Sequence, residues 1–552
     1  MIQFKEIKLE NKKEYEHLLH NNIEHGCEYS FTNLFMWGTQ QVTFIDNHVL
    51  LFSEFDNHCF YPFPVGHGDK KRILDHIFSD ADERDLSCCL TGLNYEDKQT
   101  LETLYPGKFY FHADRSNYDY VYDINSLADL KGRKLHRKRN HLKHFEKNHP
   151  DCVVEPICDE NIDEVRAFIS QWYQLKLEDA PDGDYHNEQA ALEKALTFHK
   201  ELHMEGLLLR EGTEILAFTL GSQMSHDTFD VHFEKARGDI DGAYTTINSS
   251  FANYIRNKHP HIAYLNREED MGIPGLRKAK QSYFPHHMIK KYKAFPIRYH
   301  FAYKQPDISH IPALRGLWKE AFGDSDTFLD FFFSTAFDYS RCRIATVDNK
   351  IAAALYWFDC SINEQDCAYL YAVATSMDYR GNGACHMLLA NTHTLLKEKG
   401  YQSALLVPGS ENLIQLYEGA EYETCTRISE IKCCAEDMNI IIEEITQDDF
   451  TTLRPAFLPK NSVLQQKENL NFLSTQAKYY RGEHFLLVAS IENENLFGIE
   501  LLGDTSVAPG ILHVLGCKDG TFRIPGKDMD FAMFHGLTED AVEPEYFGFA
   551  FD

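Results

Sequence analysis

No stretch of the 552 residues approaches the run of about 18 apolar side chains that a membrane-crossing helix needs, so no membrane span is expected. The first residues, Met1 to Ile7, lack the apolar core of a signal peptide, and no leader is expected either. Positive charge is scarce. Lys and Arg number 55 against 84 Asp and Glu, a formal charge of −29, which argues against a general nucleic-acid binder because neutralising phosphates requires a basic surface. The 14 cysteines are scattered, with no Cys-x-x-Cys pair and no metal-ligand spacing. Reduced thiols, a cytoplasmic setting and no metal follow as expectations. Both Gly-x-x-x-x-Gly-Lys-Ser/Thr and Gly-x-Gly-x-x-Gly are missing, which counts against nucleoside-triphosphate and dinucleotide sites. Low-complexity runs are few, and 43% apolar and 13% aromatic residues predict a chain folded throughout, in about three to four domains by length.

What is present centres on Cys367 to Tyr422. The run Ala368-Tyr-Leu-Tyr-Ala-Val-Ala374 has no alternating polar residue and reads as a strand buried on both faces. Arg380-Gly381-Asn382-Gly383 follows, where two residues without Cβ let successive amide N–H groups turn toward one point and hold an anion. A helix then opens at Ala384, keeps an apolar face through Met387, Leu388 and Leu395, and stops at Gly400. The strand Ala404 to Val407 completes a strand, loop, helix, strand unit, with a phosphate ligand expected at the helix N-terminus.

Arg380, Gly383 and the position of Cys385 together resemble the pyrophosphate loop of the GNAT acetyltransferases, Arg/Gln-x-x-Gly-x-Gly/Ala, with Cys standing where that family has Gly or Ala. The resemblance implies that acetyl-CoA is the cosubstrate and that its diphosphate is held by Arg380, Gly381, Asn382, Gly383, Ala384 and Cys385. It also implies that the pantetheine arm lies along Val373, Ala374 and Thr375, in a gap where a bulge splays the strand. Asn412 and Tyr417 fall where the family places a loop Asn and a helix Tyr, and the Tyr phenol would protonate the leaving thiolate. Glu421 stands where a Gly usually precedes the aromatic. The same domain is expected over 298–435, with helices at 310–322 and 326–335 and strands at 342–347 and 351–358.

In the first half, Lys131 to Lys147 carries eight Lys and Arg against one Glu, with Leu135, Leu142 and Phe145 forming an apolar stripe. It reads as a helix with a cationic outer face, either a dock for a polyanion or a solvated face. From 161 to 295 the order strand, strand, strand, helix, strand repeats the plan of 340–410 without its arginine-glycine loop, which suggests a distant structural repeat. Asn266-Arg-Glu-Glu-Asp-Met-Gly-Ile-Pro-Gly-Leu-Arg-Lys-Ala-Lys-Gln-Ser-Tyr283, with His232 to Lys235 and Gly242 to Tyr244, resembles the catalytic domain of phosphatidylglycerol lysyltransferases (DUF2156), a tandem pair of GNAT-like folds over 1–295 with halves at about 1–130 and 150–295. That family takes an aminoacyl group from tRNA. The resemblance implies that Asn266, Arg267, Glu268, Asp270, Arg277 and Lys280 line the site. Arg277 and Lys280, on one helix face, suit a phosphate or an acceptor 3′ end, and Glu234 or Asp270 suits a base.

The expected fold class is therefore α/β (α+β), with several GNAT-like folds built on mixed central sheets. A C-terminal, strand-rich accessory domain over 436–552 would follow, with strands near 484–491, 496–502, 511–515 and 530–534 and a last strand carried to the terminal residue to complete the edge of a sheet; the alternative, implied by the resemblance to GNAT enzymes with an added C-terminal domain, is that Asp552 offers a carboxylate base. The function read from this is N-acetylation of a small-molecule or peptide amine, fused to an aminoacyl-tRNA-dependent module. The alternative is one or two non-catalytic domains that bind acyl-CoA or tRNA.

Overall fold

Strands with apolar residues on both faces need cover on both, and helices packed against mixed sheets supply it. The computed structural model describes residues 1–19, 25–55, 58–179, 185–465 and 467–549, and the chain divides into two units, Met1–Pro296 and Ile297–Asp552. Each unit contains two sheets.

The first sheet runs Lys5–Glu6, Gln41–Ile45, His48–Phe55, His58–Pro62, Ser87–Leu93, Tyr292–Pro296, Phe109–Ala113. The second runs His287–Ile289, Asp119–Asp123, Tyr264–Asn266, Thr228–Ala236, Glu214–Gln223, Glu205–Glu211, Cys152–Pro156. In the other unit, the third sheet runs Ala302–Lys304, Cys342–Val347, Lys350–Ile362, Gln365–Thr375, Ser403–Leu406, Met533–Gly536, Glu423–Thr424. The fourth runs Met529–Asp530, Arg427–Cys434, Asp519–Pro525, Asn495–Gly503, Phe485–Glu492, Lys478–Arg481, Glu443–Ile445. Strand for strand, the third sheet repeats the first and the fourth repeats the second. Each also has one parallel ladder at the same place in its order.

The repeat is thus a whole two-sheet unit, wider than the expected likeness between 161–295 and 340–410. It also moves the expected borders. Asp119–Asp123 belongs to the second sheet, and the last strand of the unit, Tyr292–Pro296, returns to the first sheet between Ser87–Leu93 and Phe109–Ala113. Likewise Arg427–Cys434 opens the fourth sheet while Met533–Gly536 returns to the third. A late strand inserted this way pairs on both sides with strands that precede it, a constraint invisible when strands are read in chain order.

The C-terminal part is strand-rich, as expected, and builds a fourth sheet with helices. Residues 511–515 lie in or beside the helix Ala508–Val514, whose Pro509 in the first turn presets a helical φ, and not in a strand. Near the terminus, Tyr546 forms a single parallel bridge with Ser462, and Phe547 and Phe549 are buried, while Asp552 lies outside the described residues. In the third sheet's layer, Ile311–Phe322 buries Leu314, Leu317 and Trp318, spaced three and four apart, which fixes that helix beside Lys350–Ile362.

Candidate active site

The third sheet opens into a fork. Gln365–Thr375 pairs in parallel with Ser403–Leu406 only from Cys367 to Tyr369. Beyond Tyr369 it keeps its other partner, Lys350–Ile362, and leaves this one. The departure coincides with a bulge: Tyr356 faces Tyr371 and Ala354 faces Ala374, so Ala372 and Val373 oppose Leu355 alone, and Ala372 takes φ 49°. Left-handed φ at a residue with a Cβ is strained, and such strain gathers where strands must be re-aimed. Tyr371, Ala372, Val373 and Thr375 are half-buried along the parted edge, and Ala374 is buried.

At the mouth of the fork lies the glycine loop. Gly381 (φ 73°) and Gly383 (φ 77°) are both left-handed, and Gly383 caps the helix Ala384–Glu398. Nothing lies within 4 Å of the position a Cβ on Gly381 would take. Arg380 Nε donates to the Thr375 carbonyl at 3.1 Å and Asn382 Nδ2 to the Arg380 carbonyl at 2.9 Å, which ties the loop to the strand end. Burial pushes the Cys385 thiol up to about 12, so it stays neutral beside the loop and adds no negative charge there.

Tyr417, on the helix Glu411–Gly419, is buried, and its phenol is within electrostatic reach of Cys385 and of Tyr369 at the apex of the fork. Burial first, then those two neighbours, pushes its phenol well up. Asn412 sits in the first turn of that helix and is exposed, not on a loop. Glu421 takes φ 66°, which explains why glycine is favoured there. Glu320 was not expected: its Oε1 accepts the Met377 N–H at 2.6 Å, and it lines a cleft of about 720 Å³ with His310, Ile351 and Ser376. An exposed Glu on an amphipathic helix carries no sequence signal of its own.

The second sheet forks at the corresponding place, but charged groups fill it. Thr228–Ala236 pairs with Tyr264–Asn266 only as far as Asp230 opposite Asn266, and His232 is the extra residue of a bulge. Arg267 Nη2 meets Glu234 Oε1 at 2.8 Å, with its guanidinium 5.1 Å from the Tyr283 ring. Asn266 Nδ2 donates to Asp119 Oδ2 at 2.9 Å and its Oδ1 accepts the Glu268 N–H at 2.7 Å. Asp270 is buried and saturated, accepting from Tyr120, Arg115, the Gly272 amide and Arg277. Burial alone would raise its carboxyl, yet the hydrogen bonds, that of Arg277 foremost, outweigh burial and hold it below the usual carboxylate range.

The six expected residues therefore gather at one centre in different roles. Arg277 is committed to Asp270, and Lys280 Nζ donates to the carbonyls of Arg267 and Glu269 at 2.5 Å each, so the phosphate grip expected of this pair gives way to an inward framework. Asp270 is likewise a poor base. Asp119, Lys291 and Cys27 were not among the expected site residues, and His232 figured only in the motif that carries the resemblance. Lys291 Nζ lies 2.7 Å from Asp119 Oδ1 and 2.5 Å from Glu28 Oε2, deep in the unit. A charged residue inside an apolar strand such as Asp119-Tyr-Val-Tyr-Asp123 was the available signal.

The basic run forms the helix His136–Asn148, with Leu135 and Phe145 buried and Arg133, Lys134, Arg137, Lys143 and Lys147 exposed. Lys138 leans over the Tyr283 ring at 3.8 Å, and burial, then Arg267, brings its ammonium down to about 8. The N-terminus of Ala243–Lys258, which corresponds to the glycine-capped helix of the third sheet, is covered: a Cβ on its cap Gly242 would lie 2.5 Å from the His141 carbonyl. Asp241 beside it pairs with His141 and His144.

The fourth fork is plugged. After Gly498 opposite Phe522, with Ile499 as the bulge, Glu500 is buried against Arg454, which donates Nε and Nη2 to its two oxygens at 2.8 Å each. Phe549 lies 4.5 Å over that guanidinium. The first sheet shows no such parting, pairing continuously from His58 with Ser87 to Pro62 with Thr91.

Among the described residues no helix is long and apolar enough to cross a membrane. Residues 22–295 match the phosphatidylglycerol lysyltransferase C-terminal family, and residues 302–425 match the GNAT acetyltransferase domain. A solved protein of unknown function from Bacteroides thetaiotaomicron is 37% identical, with 54% of this chain and 100% of that one covered and a TM-score of 0.51. L-PGS from Bacillus licheniformis is 14% identical over 53% of this chain and 94% of its own, with a TM-score of 0.41. An uncharacterized protein of Mycoplasmoides gallisepticum is 25% identical over 181 residues, 32% of this chain, and the chain spans 56% of that relative's length. The chain thus carries two acyltransferase-type domains, one over residues 22–295 that matches the phosphatidylglycerol lysyltransferase C-terminal family and one over residues 302–425 that matches the GNAT acetyltransferase domain.

Proposed function

We propose that the second unit is an acetyl-CoA-dependent N-acetyltransferase acting on a small-molecule or peptide amine. The observation that carries this reading is the parting of Gln365–Thr375 from Ser403–Leu406 after Tyr369, at a bulge lined by small neutral side chains and ending on the open glycine loop. The loop amides from Gly381 to Cys385 hold the diphosphate with Arg380 beside them, and the free edge from Val373 to Thr375 hydrogen-bonds the pantetheine arm. Acetyl-CoA supplies an acyl carbon activated as a thioester. Amides at the bulge polarise its carbonyl, the amine nitrogen forms the new C–N bond as the C–S bond breaks, Glu320 takes the proton from nitrogen, and Tyr417 gives one to sulfur. Fourteen free thiols favour a reducing compartment, the cytoplasm.

Titration calorimetry tests the reading. The full chain is expected to bind acetyl-CoA, and Gly383→Val to weaken binding ~10–100-fold, because a β-branched residue at φ 77° adds ~1–3 kcal/mol of strain and displaces the first helix amides. Equal affinity in both proteins would reject it.

For the first unit we propose an aminoacyl-tRNA donor, in keeping with its covered glycine cap and charge-filled fork, which suit no pantetheine arm. What favours RNA is the cationic face of His136–Asn148 and the reach of Lys138 to Tyr283 beside Arg267. tRNA retention is expected to fall steeply between ~50 and 200 mM salt and to be lost on charge reversal of Arg133, Lys134 and Arg137. Retention indifferent to both changes would exclude this dock.

A further inference from the structure

We propose that the fork of the second sheet holds a divalent transition-metal ion of the zinc, manganese or iron(II) kind, ligated by Asp230, His232 and Glu268. The three ligand atoms lie within 4.8 Å of one another, with His232 Nδ1 at 3.5 Å from Asp230 Oδ2 and 3.1 Å from Glu268 Oε1. The strand geometry brings them there: Asp230 is the last residue paired to Asn266, His232 is the bulge residue just beyond, and Glu268, at φ 56°, faces both from the parted strand end.

Both imidazole nitrogens have polar neighbours. Ser222 Oγ lies 2.8 Å from His232 Nε2 and 3.1 Å from Thr32 Oγ1, a chain that suits a tautomer with hydrogen on Nε2 donated to Ser222. Nδ1 lies within hydrogen-bonding distance of Glu268 Oε1, at 3.1 Å, and in the tautomer with hydrogen on Nε2 it offers its lone pair to a cation shared with the two carboxylates. Asn33 Nδ2 donates to Glu268 Oε1 at 2.9 Å and steadies that ligand from behind.

Asp230 makes the case independent of clustering. Its side chain is fully buried, and neither carboxylate oxygen takes a hydrogen bond. A buried carboxylate without a donor is costly, and Glu268, Asp119 and Glu269 add their charge to the same neighbourhood. The adjacent group Cys27, Asp119 and Glu269 passes the same distance criterion, but there the Lys291 ammonium is already in place, 2.7 Å from Asp119 Oδ1 and 3.7 Å from Cys27 Sγ. The cation that group needs is part of the chain. One imidazole and two carboxylates suit borderline metals better than calcium or magnesium, which prefer oxygen alone.

The inference stands apart from either acyl donor, and its readout is metal alone. Full-length protein stripped by chelator is titrated with Co²⁺ and followed by visible absorption. One equivalent is expected to give the intense d–d bands of a low-symmetry site, displaced by Zn²⁺. Asp230→Asn and His232→Leu are expected to weaken binding at least ~100-fold, Ser222→Ala ~10-fold, and Cys27→Ser not at all. Circular dichroism confirms that each variant is folded. Absence of a stoichiometric cobalt spectrum in the unaltered protein overturns the proposal, as does a spectrum lost in Cys27→Ser but kept in Asp230→Asn.

Discussion

Tyr417→Phe lowers kcat for acetyl transfer ~10²–10⁴-fold and leaves the KM for acetyl-CoA nearly unchanged, the span expected when a positioned proton donor is removed. The substitution deletes one oxygen and keeps the ring, so packing against the core it shares with Leu388 and Tyr422 is preserved. Burial raises the phenol, with Cys385 and Tyr369 adding to the shift, so the neutral form persists above the range where a free tyrosine ionises. The sign matters. A raised phenol remains able to donate as pH rises, and no loss of kcat assignable to Tyr417 is expected below about pH 10. A variant with unaltered kcat would remove Tyr417 from the reaction. Tight acetyl-CoA binding by the unaltered protein without turnover of any amine would instead favour the alternative of a non-catalytic binding domain.

Arg454→Met destabilises the second unit by ~3–5 kcal/mol, because it strands Glu500 without its partner inside the plugged fork. The guanidinium and carboxylate share two hydrogen bonds of 2.8 Å, both side chains are almost wholly buried, and a Cβ on Gly548 would lie 1.7 Å from Glu500 Oε1. With so little room, neither water nor a rotamer change relieves the lone charge. The double variant Arg454→Met with Glu500→Leu is expected to recover most of the loss, since removing both charges removes the desolvation cost of both. Thermal melting of the full chain checks this through the transition that moves: roughly 10 °C down in the single variant and much less in the double. A single variant as stable as the parent would mean that the pair is solvated and that the fourth fork is not sealed.

These two expectations show what was legible in the sequence. The loop from Arg380 to Cys385 and its helix were readable because their signals are local: glycines where φ must be positive, an apolar strand before, an amphipathic helix after. Lys131 to Lys147 was readable for the same reason. The borders were not, since Tyr292–Pro296 and Met533–Gly536 each pair with strands about two hundred or one hundred residues earlier, and no local pattern records a strand's partner. Ile511 to Leu515 was misread because a short apolar run fits a buried strand and a buried helix equally, and Pro509 was the overlooked cue. At the charge-filled fork, Asn266 to Lys280 was legible as a contiguous segment. Asp119 and His232 come from two strands, Cys27 from a 3-10 turn and Lys291 from a loop, so only the fold assembles them. Arg277 illustrates the limit most clearly: helix spacing placed it on a face with Lys280, but Asp270 had already claimed it.

Four related sheets in one chain make the account testable by location. Amide hydrogen exchange of the full-length protein, measured with and without acetyl-CoA, reports which fork takes the cosubstrate. Protection is predicted across Tyr371 to Met387, with exchange unchanged at 231–245 and at 498–510. Protection at either of those other forks, or none at Tyr371 to Met387 under saturating acetyl-CoA, would contradict the assignment.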